Sequence, residues 1–270
     1  MDRYAVIGHP VEHSLSPRIH TAFAEQTGAA MAYGRIDPGA DHFGEAARAF
    51  FAEGGMGLNV TVPFKGQAHD FADALSERAA RAGAVNTLAR TADERISGDN
   101  TDGIGLVRDL RKHLGLTLAG RRILLLGAGG AARGAVAALL AEDPAELVIA
   151  NRTAARAIAV AEAVADLGPV RGTGLAAPGT DFDLVINASA ASMGGSVPPV
   201  AADAIAAGGA VYDMMYGAPA APFRAWARAH GAAVTADGLG MLVEQAAESF
   251  RIWRGVHPDT AAVLAALRAG

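Results

Sequence analysis

Residues 122–134 read R-I-L-L-L-G-A-G-G-A-A-R-G, and this stretch narrows the folds open to the chain more than any other. A short apolar run, 123–126, meets a glycine cluster, and an alanine-rich helical pattern follows. That order predicts strand, tight turn, helix. The spacing of Gly127, Gly129 and Ala132 fits the G-x-G-x-x-G/A fingerprint of a dinucleotide-binding unit. Gly127 permits the turn, Gly129 admits a pyrophosphate close to the backbone, and small Ala132 lets helix pack against strand. The N–H groups at the start of the helix face an anion.

The next unit, E-L-V-I-A-N-R-T at 146–153, sharpens the reading. In folds of this kind an acid near this point binds the ribose hydroxyl of NAD. Here Asn151 and Arg152 stand instead, with Arg156 one helical turn further on. Two guanidiniums can bracket a 2′-phosphate, which points to NADP. The competing reading is a solvated helix start, but a helix N-terminus disfavours cations unless an anion is present.

At 270 residues the chain has room for two ordinary domains, and 51% apolar with 19% charged residues is a globular composition. A net charge of −5 and the lack of any Lys/Arg run argue against a nucleic-acid partner. With no cysteine, disulfides, thiolate metal sites and a cysteine nucleophile are excluded. The eight histidines do not cluster, and Pro10 between His9 and His13 makes a helical metal pair unfavourable, so no metal site is expected. No signal peptide and no apolar run near the roughly 20 residues of a membrane span are visible, which predicts a cytoplasmic protein without a membrane partner. Oligomeric state is not readable; a homodimer is compatible.

In chain order, 4–7 is a short strand, and Ser16 followed by Pro17 reads as an N-cap and first helical position, with the helix running to Gly28. Residues 31–36 are strand-like, and Asp41 is expected to cap a helix to about Gly54. In 57–65, G-L-N-V-T-V-P-F-K, Leu58, Val60 and Val62 alternate with Asn59 and Thr61 as a half-buried strand would; Pro63 ends it and Lys65 lies just beyond. Helices are expected over 66–72, 76–83 and 102–114, and strands over 84–89 and 95–98. In the second half strands are expected at 122–127, 146–150, 169–171, 183–187, 209–213 and 232–235, then helix from 239 to 270 with a break at 255–258. The prediction is α/β with two domains: 1–102 plus 239–270 as a substrate-binding domain, the C-terminal helices returning to it, and 103–238 as a Rossmann-like, doubly wound NADP-binding domain.

Four polar sets sit at strand ends or adjoining loops of the first half: Ser14 and Ser16; Asn59, Thr61 and Lys65; Asn86 and Thr87; Asn100 and Asp102. Such ends are where open α/β sheets bind ligands. Hydroxyls, amides, one cation and one carboxylate suit a small polyhydroxylated acid, and lysine with aspartate can manage a hydroxyl proton while hydride moves. Taken singly, each set has a plainer explanation: a solvated lysine, or a capping cluster before a helix.

Together the motifs resemble the shikimate dehydrogenase family over nearly the whole chain. G-H-P-V-E-H-S-L-S-P-R-I-H at 8–20 resembles its carboxylate-binding signature, which implies Ser14 and Ser16 as ligands. G-L-N-V-T-V-P-F-K implies Lys65 as the catalytic lysine, with Asn59 and Thr61 on the substrate. A-V-N-T (84–87) and G-D-N-T-D-G (98–103) imply Asn86 as a ligand and Asp102 as the catalytic partner of the lysine. G-A-G-G-A-A (Gly127, Ala128, Gly129, Gly130, Ala131, Ala132) and N-R-T (Asn151, Arg152, Thr153) match the NADP half. Y-D-M-M-Y (212–216) and D-G-L-G-M-L-V-E-Q-A-A (237–247) imply Tyr216 and Gln245 at the substrate and Met214 and Gly238 beside the nicotinamide. The activity so implied is reversible NADPH-dependent reduction of 3-dehydroshikimate to shikimate. A quinate/shikimate enzyme of looser specificity and a non-catalytic NADP-binding sensor are the alternatives. Three departures stand out: Thr21 in place of asparagine, Ala221 in place of threonine, and Ser189, Ala190 and Ser192 in place of Thr, Ser and Gly. The last bears on the grip on the cofactor.

Overall fold

The computed structural model describes residues 1–269, apart from the side chains of Ala190 and Met193; Gly270 lies outside the described residues. The chain divides into two compact units, Met1–Gly105 with residues from Leu242 onward, and Leu106–Met241.

The first unit is built on strands β1 (Asp2–Ile7), β2 (Met31–Ile36), β3 (Gly55–Val60), β4 (Ala74–Leu75), β5 (Thr87–Arg90) and β6 (Ile96–Asp99), in the order β2-β1-β3-β5-β6-β4. Helices α1 (Ser16–Thr27) and α2 (Phe43–Ala52) carry the chain between parallel β1, β2 and β3, while β5 runs antiparallel to both β3 and β6. Short helices α3 (Lys65–Phe71) and α4 (Glu77–Ala82) follow β3 and β4, and α5 (Asp102–Arg108) follows β6.

Two caps differ from expectation. Helix α1 has Leu15 at its cap position and begins at Ser16, whose N–H donates instead to Ser14 Oγ at 3.3 Å. The hydroxyl of Ser16 is thereby left for other partners. Helix α2 is preceded by His42 rather than Asp41, with no side-chain cap; Glu45, acidic in its first turn, compensates the dipole there. The expected strand at 84–89 starts only at Thr87, because the N–H groups of Ala84 and Val85 go to Ala79 O at 3.4 Å and Lys65 O at 2.9 Å rather than to a neighbouring strand. The single helix expected at 102–114 widens into a π-turn over Asp109–His113, where Asp109 turns into the core.

The second unit holds β7 (Arg122–Leu126), α6 (Gly130–Leu140), β8 (Glu146–Asn151), α7 (Ala154–Glu162), β9 (Val170–Gly174), β10 (Phe182–Asn187), β11 (Ile205–Asp213), α8 (Ala221–Ala229) and β12 (Val234–Asp237). Its sheet is parallel throughout, in the order β12-β11-β10-β7-β8-β9. This is the doubly wound arrangement, with helices on both faces. The sequence of β7 shows why. Ile123 and Leu125 enter one apolar cluster, Leu124 and Leu126 the opposite one, and all four are fully buried. A strand covered on both faces reads as an unbroken apolar run rather than an alternation. The chain reverses its winding between β7 and β10, the switch point at which such sheets admit ligands.

Helices α9 (Leu239–Arg254) and α10 (Thr260–Ala269) close the chain. From Leu242 onward they pack on the first unit, where Trp253 lies 4.8 Å from the Tyr4 ring and donates to Leu88 O at 3.0 Å. Among the described residues no helix is long and apolar enough to cross a membrane.

Candidate active site

In the first unit the tops of β3, β5 and β6 deliver polar side chains to one place. Leu58 and Val60 anchor β3 in the core; the strand ends at Val60, before the expected stop at Pro63, leaving Val62 exposed, and Lys65 opens α3. A cation at a helix N-terminus meets the positive end of the dipole. Asp102 offsets it: its Oδ2 accepts from Lys65 Nζ at 2.5 Å. The side chains are 18% and 6% exposed, so the ammonium keeps a solvent face while the carboxylate is hidden. The other oxygen, Oδ1, accepts from Asn86 Nδ2 at 2.8 Å, and the Asp102 backbone N–H donates to Asn100 Oδ1 at 3.1 Å. Asp102 thus has no freedom to swing, while Lys65 retains some.

Asn86 is the hub. Its Oδ1 accepts from Thr101 N–H at 2.8 Å and from Thr87 Oγ1 at 2.9 Å; its Nδ2 also lies 3.2 Å from Gln245 Oε1, a residue of α9. Gln245 is turned by its own Nε2 donating to Leu242 O at 2.9 Å. Thr87 Oγ1 lies 2.7 Å from Ser249 Oγ, which accepts from Asn59 Nδ2 at 2.9 Å. Asn59 Oδ1 in turn accepts from Tyr33 OH at 2.6 Å. Ser14 Oγ donates to Ser16 Oγ at 3.2 Å. One hydrogen-bonded chain therefore runs from Tyr33 through Asn59, Ser249, Thr87, Asn86 and Asp102 to Lys65, joining residues that the sequence offers as separate pairs. Thr61 joins from beside it. Its N–H donates to Ile7 O at 3.0 Å and its methyl fills the space where a Gly8 side chain would stand.

Tyr33, His20, Ser249, Thr87 and Thr101 complete this network. Of these, Ser249 is open to discovery from sequence: it stands four residues after Gln245, on the same face of α9. His20 gives no such signal. Its ring is fully buried, stacked 4.3 Å from Tyr33 at 7°, and Nε2 lies 3.0 Å from Asn59 Oδ1. Burial drives its pKa down to about 3, against the smaller upward pull of Asn59. The ring is therefore neutral, and because Asn59 presents a carbonyl oxygen, the proton sits on Nε2. Burial likewise raises the Tyr33 hydroxyl well above its ordinary value, keeping it a donor.

The second unit carries the glycine turn. Gly127 has φ 118°, and a side chain there would come within 2.9 Å of Ala188 O, so the turn after β7 requires glycine. Space stays open above Gly129 and Gly130, and α6 begins at Gly130 with no side chain capping its first N–H groups. Ala128 and Ala131 are half-buried beside them, and Ala132 is fully buried against the core. At the end of β8, Asn151 Nδ2 donates to Thr153 O at 3.0 Å, and α7 also starts without a side-chain cap. Arg152 and Arg156 are exposed and form no ion pair among the described residues. Uncapped helix N-termini, an open glycine turn and two unpaired guanidiniums fit a phosphorylated dinucleotide. Met214 and Gly238 follow β11 and β12, and Tyr216 is half-buried on the loop after β11. Ser189 and Ser192 lie in the turn after β10, with Ser192 buried; the side chain of Ala190 lies outside the described residues. Thr21 is an exposed residue of α1, and Ala221 opens α8.

Comparison with known proteins accords with this geometry. The family model for the shikimate dehydrogenase substrate binding domain matches residues 6–88, that for shikimate/quinate 5-dehydrogenase residues 109–194, and that for the shikimate 5′-dehydrogenase C-terminal domain residues 238–268. The shikimate dehydrogenase (NADP(+)) of Alkalilimnicola ehrlichii is 58% identical over 267 residues, 99% of this chain and 98% of its own. Among solved structures, an Ael1 enzyme from Pseudomonas putida is 48% identical with TM-score 0.92, covering 99% of this chain and 98% of that one. The shikimate 5-dehydrogenase of Thermus thermophilus, solved with NADP(H) and shikimate, is 34% identical with TM-score 0.84, covering 100% and 99%.

Proposed function

This chain belongs to the shikimate dehydrogenase family, and from that premise we propose how its residues divide the work of the reversible NADPH-dependent reduction of 3-dehydroshikimate to shikimate. NADPH, when bound, supplies the hydride that the C3 carbonyl carbon receives. Lys65 gives the carbonyl oxygen its proton and in the reverse direction removes it; Asp102 holds the ammonium in place and balances its charge. The observation that carries this reading is the Lys65–Asp102 contact of 2.5 Å, with the carboxylate clamped by Asn86 and the ammonium still partly open to solvent. A lysine that served only as a surface charge would need no such clamp.

Around that pair, Ser14 and Ser16 take the substrate carboxylate, and Asn59, Thr61, Asn86, Tyr216 and Gln245 take its remaining oxygens. The buried network supports this assignment, because it fixes the orientation of the Asn59, Asn86 and Gln245 amides before any ligand arrives, which lowers the ordering cost of binding. Gly127, Ala128, Gly129, Gly130 and Ala131 lie along the pyrophosphate. Asn151, Arg152, Thr153 and Arg156 hold the adenosine side and its 2′-phosphate, with Met214 and Gly238 beside the nicotinamide. Residues 1–102 with 239–270 then form the substrate domain and 103–238 the NADP domain. We place the reaction in the cytoplasm, with small molecules as partners, no part for nucleic acid or membrane, and a homodimer as the assembly.

The test is a set of initial rates on one preparation, NADP against NAD and shikimate against quinate. A kcat/KM with NADP that exceeds the value with NAD by about tenfold or more is expected, since a guanidinium pair left without its phosphate loses charge-assisted bonds, and shikimate is expected to be preferred to quinate. Equal rates with quinate would replace the substrate assignment, and absence of turnover would leave a binding protein.

A further inference from the structure

The turn after β10 is pinned by a side-chain cluster at the ends of two neighbouring strands. Ser192, 1% exposed, donates to Asp213 Oδ2 at 2.5 Å and accepts from Asn187 Nδ2 at 2.9 Å. Asn187 Nδ2 also reaches Asp213 Oδ2 at 3.2 Å, which closes a ring of three fully or nearly fully buried side chains. Asn187 ends β10 and Asp213 ends β11, so the ring ties both strand tips to the turn that holds Ser192.

The ring also fixes backbone on either side. Asn187 Oδ1 accepts from the N–H and hydroxyl of Ser189, at 3.0 and 2.7 Å, while Asp213 Oδ1 accepts from Met215 N–H at 2.9 Å. Met214 N–H donates to Asn187 O at 2.9 Å, and Met214 O is packed so closely on Gly238 that a Cβ there would lie 2.1 Å away. Ala188, between Asn187 and Ser189, is the residue whose carbonyl closes over Gly127. The two backbone segments that border the switch point, 188–195 and 214–215, therefore hang from one carboxylate.

That carboxylate is unusual in its company. Asp213 is fully buried, and the partners that hold it are the Ser192 hydroxyl, the Asn187 amide and the Met215 N–H, all neutral. A buried anion is costly unless strongly hydrogen-bonded, and bonds to an ionised acceptor are the strong and directional ones. Apolar residues of similar size would pack the strand tips at lower cost. What they would not do is hold three separate segments in fixed register.

We propose that Ser192, acting through Asp213 and Asn187, is a positioning residue for the dinucleotide: it sets the backbone against which the nicotinamide half of NADP(H) lies. The inference rests on the reading of the second unit as the NADP-binding one.

The experiment compares the wild type with Ser192→Ala, Ser192→Thr and Asp213→Asn. It reads the NADPH Kd by the fluorescence of the bound cofactor, KM for NADP and for shikimate, and thermal midpoint. Ser192→Ala should weaken NADPH about tenfold, the scale of one lost charge-assisted hydrogen bond, with KM for shikimate changed less than about twofold. Ser192→Thr, which keeps the hydroxyl, should recover most of the loss, and Asp213→Asn should show at least the loss of Ser192→Ala. A lowered midpoint in Ser192→Ala with the NADPH Kd within about twofold of the wild type would overturn the proposal and leave Ser192 a structural residue. A parallel weakening of NADPH and shikimate would also overturn it, as a general loosening. If the wild type binds NADPH but does not oxidise shikimate, the substrate assignment falls and the positioning role stands on the binding data. If it does not bind NADPH, both fall.

Discussion

Acidifying the solution from about pH 7 to about pH 5 should remove about 2 kcal/mol from the stability of the first unit through His20 alone. The ring is fully buried between Tyr33, Phe23, Phe250 and Trp253, none of which offers charge, and its one polar contact is Asn59. Burial holds the folded pKa at about 3, whereas the ordinary value is 6.5. The folded state therefore binds fewer protons than the unfolded one across that interval. Stability is complete above pH 6.5 and declines as pH falls toward about 3. Each pH unit inside the window is worth about 1.4 kcal/mol, so about one and a half units gives the stated loss. The chain has two tryptophans, which makes the assay selective. In a Trp226→Phe background the remaining Trp253, its ring 5.2 Å from His20, reports on the first unit in urea titrations at the two pH values. His20→Gln in the same background serves as the reference, because all other titrating groups are shared. The variant should be less stable at both pH values but should lose about 2 kcal/mol less between them. An equal pH dependence in the two proteins would refute the argument, and with it the neutral Nε2–H tautomer that orients Asn59.

Two further outcomes follow from the same geometry. Lys65→Ala should lower kcat by about 10²- to 10⁴-fold, the range of general acid–base catalysis, while the Kd for shikimate stays within a few-fold; an equally weakened Kd in a calorimetric titration would make Lys65 a binding residue instead. Tyr212→Phe removes the hydroxyl that donates to buried Asp109 Oδ2 at 2.6 Å, and should cost about 1–3 kcal/mol in a urea titration followed through Trp226, with kcat and both KM values unchanged.

How much of this is legible in the sequence depends on what each residue reports. The central strands of the second unit read well because they are parallel and buried on both faces, so they appear as apolar runs: 122–127 against β7 and 183–187 against β10 differ from the structure by one residue at an end. The edge strands β9 (V-R-G-T-G) and β12 (V-T-A-D), less buried, are displaced from the expected 169–171 and 232–235. β4 escapes a sequence reading because two residues carry no periodicity, and β11 begins four residues early because Ile205 to Gly208 mix small and apolar residues without alternation. In the site, Lys65, Asn86 and Asp102 sit at element boundaries, where α3, β5 and α5 begin, so sequence position exposes them, whereas Gln245, inside α9, comes only from the family resemblance. Tyr33 is hidden for the opposite reason. An aromatic residue in the strand 31–36 looks like core, and only the tertiary fold shows its hydroxyl on Asn59. Ser16 misleads in a third way, since Ser-Pro is a helix start by local chemistry, yet Ser14 supplies the acceptor and releases the Ser16 hydroxyl.

Two of the buried aspartates, Asp102 and Asp213, differ in the company they keep. Asp102 is matched with an ammonium that remains 18% exposed. In the role proposed for it, that ammonium gives a ligand oxygen a proton and takes it back, while the carboxylate balances the charge left behind. The donors that hold Asp213 are all neutral: the Ser192 hydroxyl, the Asn187 amide and the Met215 N–H. Burial raises its pKa above the usual carboxylate value while the three donors oppose that rise. A carboxylate so placed can only hold, and what it holds is the rim of the switch point. In the roles proposed for them, a buried aspartate near a strand end serves reaction in one unit and position in the other, decided by whether its nearest partner is a half-open cation or a closed set of dipoles.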